Sequence, residues 1–170
     1  MNRLKVGIVT LLLIAFFGSG VASAEVAIGV GYQGIFVSEF LHGASVRAWM
    51  DNKWAGELSI LQSSVDGGGF DTDMWFLGGK VLYAPIIREN SQFYVGIGGG
   101  WGNVDGDVTG DIDAWVVGPL FGAEYRFDEI PSLGFNWEVG YDFANFDGGG
   151  SSDIDLNGIS ISMGVHYRLN

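Results

Sequence analysis

The segment Trp115 to Phe143, WVVGPLFGAEYRFDEIPSLGFNWEVGYDF, admits few folds. Read with period two, its first arm places Trp115, Val117, Pro119, Phe121, Ala123, Tyr125 and Phe127 on one face. Val116, Gly118, Leu120, Gly122, Glu124 and Arg126 take the other. The second arm repeats the pattern, Leu133, Phe135, Trp137, Val139, Tyr141 and Phe143 opposing Gly134, Asn136, Glu138, Gly140 and Asp142, and Asp128 to Ser132 makes a tight connection. The small face decides the meaning. Glycine offers nothing to pack and weakens a strand, so a face of glycines and charges of both signs suits a crowded concave interior rather than a watered surface. The aromatic face is then the outer one, and it is more continuous than soluble monomers expose. A bilayer accepts such a surface, and only a closed barrel carries strands across one with every backbone group paired. The opposite reading is a soluble sandwich or lipocalin-like barrel with the aromatics inside.

The first residues argue for export. Arg3 and Lys5 precede an apolar run, Val6 to Phe17, and then Ala22-Ser23-Ala24, the pattern of a secretory signal peptide that leaves Glu25 at the mature N-terminus. The run is too short to span a bilayer as a helix; the rival reading is an uncleaved anchor, and no cysteine is present to carry a lipid. The expected organisation is a signal peptide, 1–24, and one barrel domain, 25–170, of 170 − 24 = 146 residues with a formal charge of 6 − 20 = −14. Such acidity excludes nucleic acid as a partner, and the absence of cysteine excludes a disulfide framework.

Alternation continues along the chain. Strands are expected at Glu25 to Gln33, Gly43 to Met50, Trp54 to Ser63, Asp73 to Ala84, Gln92 to Gly102, the two arms above, and a last one with Ile159, Ile161, Met163, Val165, Tyr167 and Leu169 outward. Gly34 to His42 extends the first strand or forms an apolar loop. Short turns near Asn52, Arg88 and Ile130 alternate with longer connections, Val65 to Thr72, Asn103 to Asp113 and Ala144 to Asn157. Trp54, Trp75, Trp101, Trp115, Tyr83, Tyr125 and Tyr167 fall near strand ends, where an aromatic girdle belongs.

With its signal peptide and stretches such as FYVGIGGGWG (Phe93 to Gly102), VRAWMDNKWAGELSI (Val46 to Ile60) and the closing ISMGVHYRL, the mature chain resembles the small eight-stranded outer-membrane barrels, of the type of outer-membrane protein X and the transmembrane domain of outer-membrane protein A. It departs from them in ending Tyr167-Arg168-Leu169-Asn170 rather than on an aromatic residue. The resemblance implies an all-β, eight-stranded antiparallel up-and-down transmembrane β-barrel in the outer membrane of a Gram-negative-type bacterium, monomeric, inserted by the outer-membrane assembly machinery and surrounded by outer-membrane lipids and lipopolysaccharide.

Arg47, Glu57, Lys80, Glu124, Arg126, Glu138, Asp142, His166 and Arg168 are all expected to face inward. An eight-stranded barrel is just wide enough for side chains to fill, so these charges are expected to form a buried ion-pair and hydrogen-bond network, isolated charges there being costly. The functional alternative is a narrow polar conduit. Catalysis on lipid A would need a nucleophile, a base and an orienting acid; His42 and His166 lie near opposite ends, and Ser38, Glu39 and His42 form only a nominal set. Asp105, Asp107, Asp111 and Asp113 resemble the front half of a calcium loop, with Gly110 at its sixth position, but Val116 stands where the bidentate glutamate belongs. Solvated acidic loops, or loops bridged by divalent cations to lipopolysaccharide, are the competing readings. The expected role is structural or surface-interacting, without a cofactor; the alternatives are a lipid A-modifying barrel enzyme and a soluble barrel binding an apolar ligand.

Overall fold

The computed structural model describes residues 26–36, 40–67, 70–106, 110–147 and 154–169. The signal-peptide expectation, and Ser38, Glu39 and Asp107, lie outside them. Eight strands run in order: β1 (Val26–Phe36), β2 (Phe40–Met50), β3 (Trp54–Gly67), β4 (Phe70–Ile87), β5 (Ser91–Gly106), β6 (Gly110–Arg126), β7 (Leu133–Asp147) and β8 (Ile154–Arg168). Each pairs antiparallel with its neighbours in sequence, and β8 pairs with β1 from Gly29↔Arg168 to Phe36↔Ile161, closing the barrel. No described helix is long and apolar enough to cross a membrane.

Local chemistry sets the turn end. Between β2 and β3 the chain reverses over Asp51 and Asn52, both at positive φ (50° and 54°), with Lys53 N–H donating to the Met50 carbonyl at 3.0 Å. Left-handed backbone at both central positions is the hairpin geometry that follows strand twist, and Asp and Asn tolerate it. In β4 the register with β5 shifts between Tyr83 and Ile86. Pro85 lies there, and having no N–H it cannot serve the ladder. Pro119 interrupts β6–β7 without a shift: Val117↔Phe143 and Leu120↔Gly140 pair, and Gly118 and Pro119 between them do not.

The opposite, far end corrects the expected boundaries. The ambiguous Gly34 to His42 divides between β1 and β2, with Phe36 paired to Phe40. The expected loop Asn103 to Asp113 is mostly ladder, its pairs including Asn103↔Asp113, Asp105↔Asp111 and Gly106↔Gly110. β3–β4 likewise pairs down to Gly67↔Phe70, and β7–β8 to Phe146↔Ile154. Apolar alternation stops where a strand leaves an apolar surrounding, but hairpin pairing continues because the partner strand is already alongside. β5 runs five residues beyond Trp101. The girdle aromatics of that end therefore sit inside long strands, Trp75 and Trp101 edge to face at 4.8 Å.

The two faces invert a soluble core. Outward side chains include Ile60, Ile97 and Ile159, 65%, 63% and 68% exposed, while Arg47, Glu57, Glu124, Glu138 and His166 are buried. The aromatic face does not enclose a cavity, which overturns the soluble barrel with an apolar ligand inside. Glycines make the interior close-fitting: a β-carbon on Gly100 would overlap the Phe76 ring and the Leu77 carbonyl, and one on Gly31 the Val165 carbonyl and the His166 ring.

Candidate functional site

Alternation brings the inward charges of β2, β3, β4, β6 and β7 to the barrel axis. The Arg47 side chain is the hub. Its Nε donates to Glu57 Oε2 at 2.6 Å, one terminal nitrogen to Glu138 Oε1 at 2.7 Å, and the other to Glu124 Oε2 at 3.3 Å and the Tyr94 hydroxyl at 3.4 Å. Lys80 closes the second side of the same carboxylates, 2.8 Å from Glu57 Oε1 and 2.6 Å from Glu138 Oε2. Tyr94 donates to Glu138 Oε1 at 2.9 Å, and Ser162 to its Oε2 at 3.0 Å. Gln33 Nε2 reaches Ser162 Oγ at 3.3 Å. Gln33 Nε2 also donates to Glu138 Oε2 at 3.4 Å, so Glu138 accepts from five strands, β1, β2, β4, β5 and β8. A planar guanidinium suits this role because its donors diverge in a fixed fork.

The expected network divides into three parts. Arg47, Lys80, Glu57 and Glu138 form a plug balanced in charge. Arg126 and Arg168 gather on Glu124 toward the turn end, at 3.2 and 3.9 Å. Asp142 stands apart on the far side of the plug and makes no hydrogen bond or ion pair with a described residue, which corrects its expected place in the network. Tyr94, Gln33, Ser162, Asn136 and Gln92 were missed as participants; all lie at inward positions of the alternation, so the signal was their face rather than their charge.

His166 sits beside the plug. Its Nε2 is 2.8 Å from Ser45 Oγ and 3.8 Å from Glu57 Oε2, and its Nδ1 is 3.1 Å from Asn136 Oδ1. Ser45, His166 and Asn136 have the spacing of a nucleophile, base and orienter, but they are 2%, 3% and 0% exposed. Enclosed in the interior, the three form a hydrogen-bonded strut between β2, β8 and β7. His42 lies near the far end, its Nδ1 2.6 Å from the Tyr32 hydroxyl, and shares no site with His166.

The described part of the far end is acidic: residues 34–36, 40–45, 62–67, 70–75, 102–106, 110–115, 144–147 and 154–158 hold Asp66, Asp71, Asp73, Asp105, Asp111, Asp113, Asp147 and Asp155, without a lysine or arginine. The register sets Asp66 opposite Asp71, Asp73 opposite Asp105, Asp105 opposite Asp111 and Asp113 opposite Asp147. Like charges directly opposite destabilise a ladder. Among the described residues no three His, Cys, Asp or Glu side chains are grouped to hold a metal ion. Asp105 and Asp113 lie in paired strands rather than in a calcium loop.

A closed antiparallel barrel of eight strands, apolar outside and charged within, defines the class of fold. No family model matches the sequence, and no curated protein does. Among solved structures the chain is similar to a major outer-membrane protein of Thermus thermophilus (13% identity, TM-score 0.57, 85% of this chain and 100% of that one). It is also similar to Neisserial surface protein A (14%, 0.55, 85% and 98%) and to the outer-membrane protein OprG of Pseudomonas aeruginosa (17%, 0.53, 87% and 97%). At these identities the shared property is the fold, that of small eight-stranded outer-membrane barrels.

Proposed function

We propose that this chain is an exported, monomeric outer-membrane protein that acts through its exposed far end, in a structural or surface-interaction role, and not through its lumen. The observation that supports this is the Arg47 plug: five strands converge on Glu138 across the axis, while the outer wall is apolar. The short turns then face the periplasm and the aspartate-rich end faces outward, beyond the membrane. Assembly would follow signal-peptide-dependent export and insertion by the outer-membrane machinery.

The cross-strand aspartates carry the surface part of the reading. Calcium or magnesium would relieve their repulsion and bridge them to the phosphates of lipopolysaccharide; without such ions an acidic rim repels that anionic surface. Two measurements test the proposal. Membrane fractionation followed by a semi-native gel, boiled and unboiled, is expected to place the protein in the outer membrane with heat-dependent mobility; solubility without detergent overturns it. Calorimetry with purified lipopolysaccharide is expected to give binding in millimolar calcium and none in chelator. Equal heats in both would remove the cation bridge.

A further inference from the structure

The wall of the barrel is unequal in height. β1 pairs with β8 only as far as Phe36↔Ile161, and β2 with β3 only from His42↔Gln62, because β1 ends at Phe36 and β2 begins at Phe40. The other strands run on, β3 and β4 pairing to Gly67↔Phe70 and β7 and β8 to Phe146↔Ile154. Among the described residues, the ring beyond the short β1–β2 hairpin is therefore unclosed over three strand spacings, about 14 Å. The longer of the two edges that border this notch is Ile154 to Ser160 of β8, which has no described pairing partner on the side away from β7. It spans roughly 23 Å.

Such an edge presents unpaired N–H and C=O groups, and proteins usually blunt it with lysine, proline or a bulge. Ile154 to Ser160 contains no lysine or proline and keeps a regular register with β7. Its β7 side is fastened: the Tyr141 hydroxyl donates to Asn157 Oδ1 at 2.8 Å and Asn145 Nδ2 to Asp155 Oδ1 at 2.9 Å. The faces here differ from those within the membrane. Beyond the girdle the outward positions turn polar, as at Asn103, Asp113 and Asp155, while inward ones are apolar, as at Ile112, Phe146 and Leu156. Ile154 and Leu156 lie on the inner face yet are 54% and 56% exposed, since β1 stops short of them.

We propose that this edge binds an extended peptide by strand addition, the peptide alternating apolar residues toward Ile154 and Leu156 with basic residues toward the acidic outer face. Main-chain hydrogen bonds to a sheet edge give such pairing its affinity, and alternate side chains give it specificity. Charge selects the occupant. The described far end carries aspartates and neither lysine nor arginine, so a basic strand is attracted, whereas a second copy of this chain would bring the same negative charge to the seam. The inference rests on the surface-interaction reading above and names the partner class for it.

The test uses amide NMR of the folded barrel in detergent micelles with a short synthetic peptide of alternating valine and lysine. Its controls are the valine–glutamate counterpart and the lysine peptide interrupted by a central proline. Saturable shifts in Ile154 to Ser160, with cross-peaks between peptide and β8 backbone protons, are expected for the lysine peptide, and neither control should match it. Leu156→Lys and Ile154→Lys, at positions more than half exposed, should keep heat-dependent gel mobility. Each should weaken binding about tenfold or more, as the loss of one buried aliphatic contact implies. No saturable shift at the edge, or equal binding of the proline-interrupted peptide, overturns the proposal. Edge shifts that grow with protein concentration alone also overturn it, in favour of a second copy. A fluorescent form of the peptide on intact expressing cells separates the two readings. Binding in micelles but not on cells keeps the strand site and removes the outward placement of the far end; no binding in micelles, with outer-membrane fractionation intact, removes the strand site alone.

Discussion

Arg47 and Glu57 face one another directly across the β2–β3 ladder and meet at 2.6 Å inside the barrel. Their hairpin supplies one bond of the plug; Glu138 and Glu124 come from strands far away in the chain. Replacing Arg47 by methionine keeps most of the volume but leaves three carboxylates around an apolar group. Removing one member of a buried ion cluster costs about 3–5 kcal/mol. The expected result for Arg47→Met is a loss of that size in urea unfolding from lipid vesicles, followed by tryptophan fluorescence. A loss below about 1 kcal/mol would mean that the plug is dispensable for stability.

Two glycines predict opposite outcomes. At Gly100 a β-carbon meets the Phe76 ring and backbone, whereas nothing lies within 4 Å of one at Gly158. Gly100→Val is therefore expected to leave most of the protein in the unfolded gel band. Gly158→Ala should match the parent within about 0.5 kcal/mol, as surface substitutions usually do.

Ile97 tests what surrounds the wall. It is 63% exposed and belongs to a rung with Val81 and Pro119. In a bilayer, Ile97→Arg should cost about 2–4 kcal/mol near the midplane, read from the urea midpoint in vesicles. In water the same change would be close to neutral, and a neutral result would remove the membrane orientation.

Catalysis by the two histidines is testable directly. The barrel is expected to resist labelling by a fluorophosphonate, because Ser45 is sealed inside beside His166. His42→Ala is expected to leave the lipid A acylation pattern unchanged by mass spectrometry. Labelling lost in Ser45→Ala, or an acylation change with His42→Ala, would reinstate the lipid-modifying enzyme.

The strand count and the assignment of faces were legible because lipid imposes period two on one side of each strand, and glycine marks the crowded other side. The strand ends were not. Asn103, Asp105 and Asp111 carry no apolar alternation, and their place in a ladder follows from pairing between arms that are already adjacent, an effect of topology rather than composition. The plug was visible as a set of inward charges, but its partition was hidden. Which carboxylate meets Arg47 depends on the stagger between β2 and β7, strands that share no local sequence, and this is also why Asp142 was placed in a network it does not join. Ser45, Asn136 and Tyr94 were passed over because neutral polar side chains announce themselves only by the face they occupy.

The plug also acts as a check on assembly. Sliding any hairpin by one residue exchanges the inner and outer sets, so a slip in β2–β3 would turn Arg47 and Glu57 into the hydrocarbon and Val46 and Leu58 into the lumen. A two-residue slip of the hairpin keeps the faces and would escape that penalty, yet it carries Arg47 away from Glu138 and Glu124 and Glu57 away from Lys80. Because the acids that Arg47 needs arrive on β3, β6 and β7, its bonds are completed only in a ring with every seam correctly set. The centre of the barrel thereby verifies the alignment of its whole circumference.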